Sequence, residues 1–140
     1  MNKVVRQNKP EINQCICAME EYLKDFEQTE LPLKHHFAHG TYTRELFMPA
    51  DTYICGKIHR YSCINILAKG KVCVVTEEGR YDIEAPYVFV SGPGVKKALH
   101  VLQDSIWITV HPWSGNEDLK EIEEALIVPS YKQLIEERTE

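Results

Sequence analysis

Between Asp51 and Gly70 the chain reads Asp-Thr-Tyr-Ile-Cys-Gly-Lys-Ile-His-Arg-Tyr-Ser-Cys-Ile-Asn-Ile-Leu-Ala-Lys-Gly, and no other stretch restricts the fold as much. Alternate residues of a strand share a face, so Lys57, His59, Tyr61, Cys63 and Asn65 are expected to look one way. Ile58, Ile64 and Ile66, with Val72 and Val74 beyond Gly70, are expected to look the other. A sheet face as apolar as this second one needs helices or a neighbour against it. Gly70 is expected to allow the turn into Lys71–Thr76.

The remaining segments fit that plan. Strands are read at about 42–47, 53–59, 61–68, 71–76, 80–84, 87–91, 96–102 and 105–111, with Leu31 to His39 as a connector. Glu77-Glu78-Gly79 supplies a hairpin turn. Short antiparallel strands with frequent turns indicate a barrel or sandwich. Ile12, Ile16, Met19, Leu23 and Phe26 form one helical stripe after Pro10, with Asn8 as its cap, packing on the barrel or on another subunit. Ser114 with Glu117, and Ser130 with Gln133, have the spacing of capping boxes for closing helices, the first carrying Leu119, Ile122 and Leu126 on one side. The division expected is an N-terminal arm and helix over 1–30, a β-barrel over 31–112 and C-terminal helices over 113–140, which pack on the barrel or a partner.

A chain of 140 residues suits one domain. Sixteen basic against twenty-one acidic side chains give a net charge of −5 with no basic block, which argues against a nucleic-acid partner. No apolar run approaches a membrane span, and the first ten residues lack the apolar core of a secretory signal. Cysteines 15, 17, 55, 63 and 73 are odd in number and form no C-x-x-C pair, so reduced thiols in the cytoplasm are expected rather than a disulfide framework.

Asp51, Lys57, His59, Cys63 and Gly70 keep the spacing of G-x5-H-x-H-x3-E-x6-G, and over about residues 31–112 the chain resembles a small single-domain cupin, an RmlC-like jelly roll. A second cupin motif falls on Pro86–Val101, where Gly92-Pro93-Gly94 keep the turn while Lys97 and Val101 replace histidine and asparagine. The runs His36–Asp51 and Trp107–Pro112 are similar to a cupin subgroup of bacteriophages and prophages. The resemblance implies a mainly β antiparallel barrel, self-association and a possible place in a virion or other protein assembly, within the host cytoplasm if phage-encoded. It does not by itself imply an activity.

Cupin metal sites gather imidazoles and carboxylates on one ion, and this chain offers His59 and Cys63, with His100 or His111 to complete a zinc or iron site. Lys57 and Lys97 bring positive charge to where that cation would sit, so the other reading is His59 hydrogen-bonded in a filled lumen. The two lysines, with Tyr61 and Asn65 as donors, suit a small anionic ligand if they point inward; otherwise they reach water at the rim. His35, His36 and His39 alternate faces and are expected in surface or packing roles, and Arg44 with Glu45 reads as a structural polar pair. The function expected is a non-catalytic structural, oligomerising or ligand-binding cupin with no catalytic residue and no resident cofactor. The alternatives are a metal-dependent isomerase or dioxygenase and an anion sensor or sequestering protein.

Overall fold

A computed structural model describes residues 9–129 and residue 133. In chain order it contains α1 (Lys9–Leu23), β1 (Leu33–Ala38), β2 (Thr41–Met48), β3 (Tyr53–Cys55), β4 (Ile58–His59), β5 (Cys63–Thr76), β6 (Gly79–Glu84), β7 (Tyr87–Ser91), β8 (Ala98–Pro112), α2 (Leu119–Leu126) and β9 (Ile127–Val128). The architecture is mainly antiparallel β. Seven strands form one sheet along the path β1-β2-β8-β5-β6, with β3 added to β8 and β7 to β5; β4 and β9 form a separate pair.

β5 and β8 are each long enough to belong to two layers. The first half of β5 pairs with β7 and the end of β8 (Ile64 opposite Val110, Ile66 opposite Ile108). Its second half pairs with β6 and the start of β8 (Val72 opposite Val101, Val75 opposite Ala98). Between them the register slips repeatedly from Leu67 to Val72. Gly70 sits in that interval at φ +94°, and a Cβ there would lie 2.1 Å from the Ser105 hydroxyl and 2.5 Å from the Asp104 carbonyl. The missing side chain lets the two strands close on each other where they bend.

This corrects the expected turn at Gly70: the segments 61–68 and 71–76 are one strand, as are 96–102 and 105–111. The slip also exchanges the faces. Cys63, Asn65 and Leu67 point inward before the bend, and Val72, Val74 and Thr76 point inward after it. Val72 and Val74, expected outside, therefore join Met48, Leu67, Ile83, Val101 and Trp107 in the core. Strict alternation fails because the extra residues of the bulge change which face is inner.

Other differences are local. The connector 31–39 contains β1, which pairs with β2 through a two-residue turn at His39-Gly40, where Gly40 has φ +72°. The expected strand 53–59 is broken into β3 and β4. Asp51, at the position of the motif glycine, takes φ +63°, the left-handed conformation that aspartate tolerates better than most residues. α1 buries Ile16 but ends at Leu23, leaving Phe26 exposed in the following turn. α2 is capped by Asp118, whose carboxylate accepts from the backbone of Lys120 (3.0 Å) and Glu121 (3.3 Å), rather than by Ser114. Asp118 is placed two and three residues before those N–H groups, whereas Ser114 lies in the loop closed by Trp113 Nε1 donating to the Asn116 carbonyl (2.7 Å). Asn8 and Ser130 lie outside the described residues.

The bend makes a quantitative prediction. Gly70→Ala is expected to lose about 3 kcal/mol or more, combining left-handed strain of about 1–2 kcal/mol with overpacking. Gly40→Ala, whose added methyl would meet nothing within 4 Å, is expected to lose only the strain. Urea unfolding of both variants checks the difference; equal losses would mean that strand approach at Gly70 is not tight.

Candidate functional site

A cavity of about 230 Å³ opens where β1, β2 and the end of β8 meet α2. Alternation along β2 sends Tyr42 and Arg44 into it, while Glu45 turns outward to Lys34 at 3.6 Å. Arg44 and Glu45 are thus not a pair. His35 faces Arg44 across β1 and β2, and His111 faces Tyr42 across β2 and β8. His59 enters from β4, and the opposite wall is apolar, built from Leu119, Ile122 and Leu126 of α2 and from Ile127.

α2 is fastened over this opening by three contacts. β9 pairs with β4, setting Val128 opposite Ile58 and Ile127 opposite His59. The Arg60 guanidinium donates to the Ala125 and Glu124 carbonyls at 2.9 and 3.1 Å, satisfying acceptors that the helix end leaves free. Lys57 forms an ion pair with Glu123 at the rim.

Inside, the rings of His59 and His111 meet edge to face with centroids 5.0 Å apart, and His111 stacks on Tyr42 at 5.9 Å. Burial, then the charges of His111, Lys97 and Arg44, lowers the His59 pKa to about 3. Burial, Arg44 and Lys97 lower that of His111 to about 4. Both imidazoles are neutral at pH 7. Burial also lowers the pKa of His35 and raises that of Tyr42. The Tyr42 phenol therefore keeps its proton, and its hydroxyl shares a hydrogen bond with His35 Nδ1 at 2.6 Å.

Beneath the imidazoles, Cys63 Sγ lies 3.8 Å from His59 Nδ1. Burial raises the Cys63 thiol above its ordinary value, with Lys97 and Asn65 acting against it. Asn65 closes the base, donating to Ser91 Oγ at 2.8 Å and accepting from Trp107 Nε1 at 3.2 Å. Lys97 is only 7% exposed, and burial pushes its amine pKa down, Cys63 opposing weakly.

Of the residues singled out in the sequence, His59, Cys63, Asn65, His111 and Lys97 converge on the interior, and Lys57 stands at the rim. Tyr61 does not share their face: β4 ends at His59, the chain bends at Arg60 and Tyr61, and the phenol is 53% exposed. His100 does not join the other metal candidates either. It stacks on Tyr53 at 4.3 Å and lies 3.7 Å from Asp51, because from β8 its cross-strand neighbours are Tyr53 on β3 and Cys73 on β5. Among the described residues no three His, Cys, Asp or Glu side chains are arranged to hold a metal ion. The donors that do gather suit a cation poorly, since Arg44 and Lys97 place positive charge beside two neutral imidazoles and a protonated thiol. Arg44, His35, Tyr42 and Glu123 belong to the site although the sequence motifs do not mark them; the available signal is that Tyr42 and Arg44 share a strand face.

The folded, doubly layered antiparallel sheet is a jelly roll, and solved structures identify the type. A cupin-2 domain protein of Shewanella frigidimarina matches with a TM-score of 0.50 at 9% identity, over 68% of this chain and 92% of that one. An RmlC-like cupin of Methanocaldococcus jannaschii, described as a double-stranded β-helix, matches at 0.50 and 12% identity, over 63% and 86%. A cupin superfamily protein of Desulfitobacterium hafniense matches at 0.53 and 4%, over 64% and 84%. The fold of this chain is the cupin fold. No family model matches the sequence, and no curated protein matches it.

The two depressed histidines give stability a defined pH dependence. In the unfolded chain they take up protons below their ordinary pKa of about 6.5, whereas the fold resists protonation until about pH 4 and pH 3, so the unfolded state binds more protons in that window. The contribution of the two rings to stability is expected to be level above pH 7 and to fall between pH 6.5 and 4, by up to ~1 kcal/mol per pH unit for each ring. Melting curves of wild type and of His59→Gln with His111→Gln check this: the double variant is expected to show a shallower decline, and an unchanged slope would contradict the assignment.

Proposed function

We propose that this chain is a non-catalytic cupin-fold protein that holds a small organic anion in the cavity beneath α2, as a sensing or sequestering device. The observation that carries the reading is Arg44: it lines the cavity, and among the described residues no hydrogen bond or ion pair engages its guanidinium. The lining contains two cations, Arg44 and Lys57, against one carboxylate, Glu123, which leaves an excess of one positive charge. Glu123 is already occupied by Lys57, which lowers its pKa through their hydrogen bond and charge.

An anionic group placed against Arg44 would gain a charge-assisted, bidentate contact in a partly dry site. The apolar body of the same molecule would lie against Ile122, Leu126 and Leu119. At about 230 Å³ the cavity is smaller than the roughly 300–1,000 Å³ of drug-sized pockets, which favours a compact metabolite. Lys97 contributes positive potential from behind the imidazoles rather than a direct contact. A cytoplasmic setting belongs to the same proposal and is supported by five unpaired thiols; among the described residues no helix is long and apolar enough to cross a membrane. Attachment to a virion or comparable assembly is supported by the phage-type motif resemblance.

Thermal melts with benzoate, short-chain monocarboxylates and inorganic phosphate, against benzamide as a neutral counterpart, test the reading. At one hundred times its Kd a bound carboxylate adds about 2.7 kcal/mol, seen as a rise in Tm. The rise is expected for at least one carboxylate, not for benzamide, and is expected to vanish in Arg44→Met. No rise across the panel, or an equal rise in Arg44→Met, would contradict the proposal.

A further inference from the structure

α1 meets the sheet at β3, where Cα atoms of the two elements come within 8 Å of one another. Among the described side chains of α1, Ile16, Cys17, Met19, Glu20 and Leu23 are wholly or partly shielded from solvent, and Cys15 is exposed. Spacings of three and four run Ile16, Glu20 and Leu23 along one stripe, with Cys17 one turn before Glu20 on its flank. On β3, Ile54 packs against the core, which turns Cys55 to the opposite face.

One ion pair fixes how the helix sits there. Glu20 Oε2 accepts from Lys96 Nζ at 2.8 Å, and the lysine side chain is only 7% exposed. Lys96 is beside Cys55, because Cys55 pairs with Ala98 and the Gly56 N–H donates to the Lys97 carbonyl at 2.8 Å. Cys17, a turn from Glu20, and Cys55, next to Lys96, are thus brought together from distant parts of the chain. Burial and then the Glu20 carboxylate raise the Cys55 thiol, Lys96 acts against them, and the charge of Cys17 reaches it as well. Both thiols are free and half-buried.

We propose that Cys17 and Cys55 close to a disulfide that staples α1 to β3, a redox-sensitive lock on the helix. The two elements are near enough for a bridge whose Cα atoms usually stand about 4.4–6.8 Å apart. The oxidant is a small disulfide of the glutathione class. A Cys17 thiolate attacks it, forming a mixed disulfide and expelling one thiolate; the Cys55 thiolate then attacks the Cys17 sulfur and expels the second. Two protein thiols give up two electrons and two protons, and one small disulfide becomes two thiols. Burial and Glu20 keep Cys55 protonated at neutral pH, which leaves the first attack to Cys17. Glu20 and Lys96 also line a second cavity, of about 490 Å³, whose wall includes Lys57, Glu123 and Ile127 from the fastening of α2. Oxidation fixes the α1 side of that cavity; reduction leaves the helix to its apolar contacts and one ion pair.

The full chain, reduced with dithiothreitol and then exposed to oxidised glutathione under native conditions, is expected to lose the mass of two hydrogens. One tryptic peptide holds both Cys15 and Cys17, so the bridge is mapped in Cys15→Ser, where the peptides of Cys17 and Cys55 are expected to be joined. Closing so long a loop restricts the unfolded chain and is expected to raise Tm by about 5–15 °C, reversibly with dithiothreitol. Cys17→Ser is expected to show neither the bridge nor the rise. No bridge, a glutathione adduct alone, a bridge to another cysteine, or a bridge that leaves Tm unchanged or lowered overturns the proposal.

Discussion

β5 and β8 run antiparallel along nearly their whole length, and the ladder between them has to fold over for either end to find a core. Gly70 makes this possible by letting the Asp104–Ser105 backbone come closer than any side chain would permit. Through the accompanying register slip, inward positions before the bend and inward positions after it reach one interior, so Leu67 and Trp107 pack with Val72, Val74 and Val101. The apolar residues gather on one side of that bend. The polar ones, His59, Cys63, Asn65, Lys97 and His111, are left at the other end beneath α2.

At that polar end Glu123 is the one carboxylate among the lining residues, and it is already paired with Lys57. Asn65 is fully used by Ser91 and Trp107, and Tyr42 by His35. The imidazoles accept burial by remaining neutral, and the Lys97 amine is pushed the same way. Arg44 cannot adapt so, because a guanidinium does not give up its proton. An unpartnered, permanent cation at the polar end of a cavity whose opposite wall is apolar is the physical basis of the anion reading. It also explains why a metal ion fits poorly where cupin geometry would place one.

The fold is legible in the sequence because the spacing of Asp51, Lys57, His59, Cys63 and Gly70 survives changes in chemistry. Asp51 even keeps the left-handed backbone expected of the glycine it replaces. The two-residue turn at Glu77-Glu78 is legible for the same local reason, with Gly79 at positive φ. What escapes is set by contacts distant in sequence. Gly70 looks like a turn until Ser105 is placed beside it, and only then does the inward position of Val72 and Val74 follow. Tyr61 obeys alternation in the sequence, yet the break between β4 and β5 releases it to solvent. Arg44 reads as the partner of its neighbour Glu45, although adjacent strand residues look in opposite directions; its role emerges only when β1, β8 and α2 surround it. The cap of α2 is ambiguous in the sequence because Ser114 and Asp118 both have capping chemistry, and the tertiary position of the helix decides between them.

The most direct measurement is a nitrogen-15 NMR titration of the histidine rings from pH 8 to pH 4, followed with wild type and with Arg44→Met. His59 and His111 are expected to keep neutral-imidazole shifts down to pH 5, and His111 to titrate at higher pH once the neighbouring guanidinium is removed. Rings that protonate near pH 6.5 in the wild type would contradict a dry interior dominated by uncompensated positive charge.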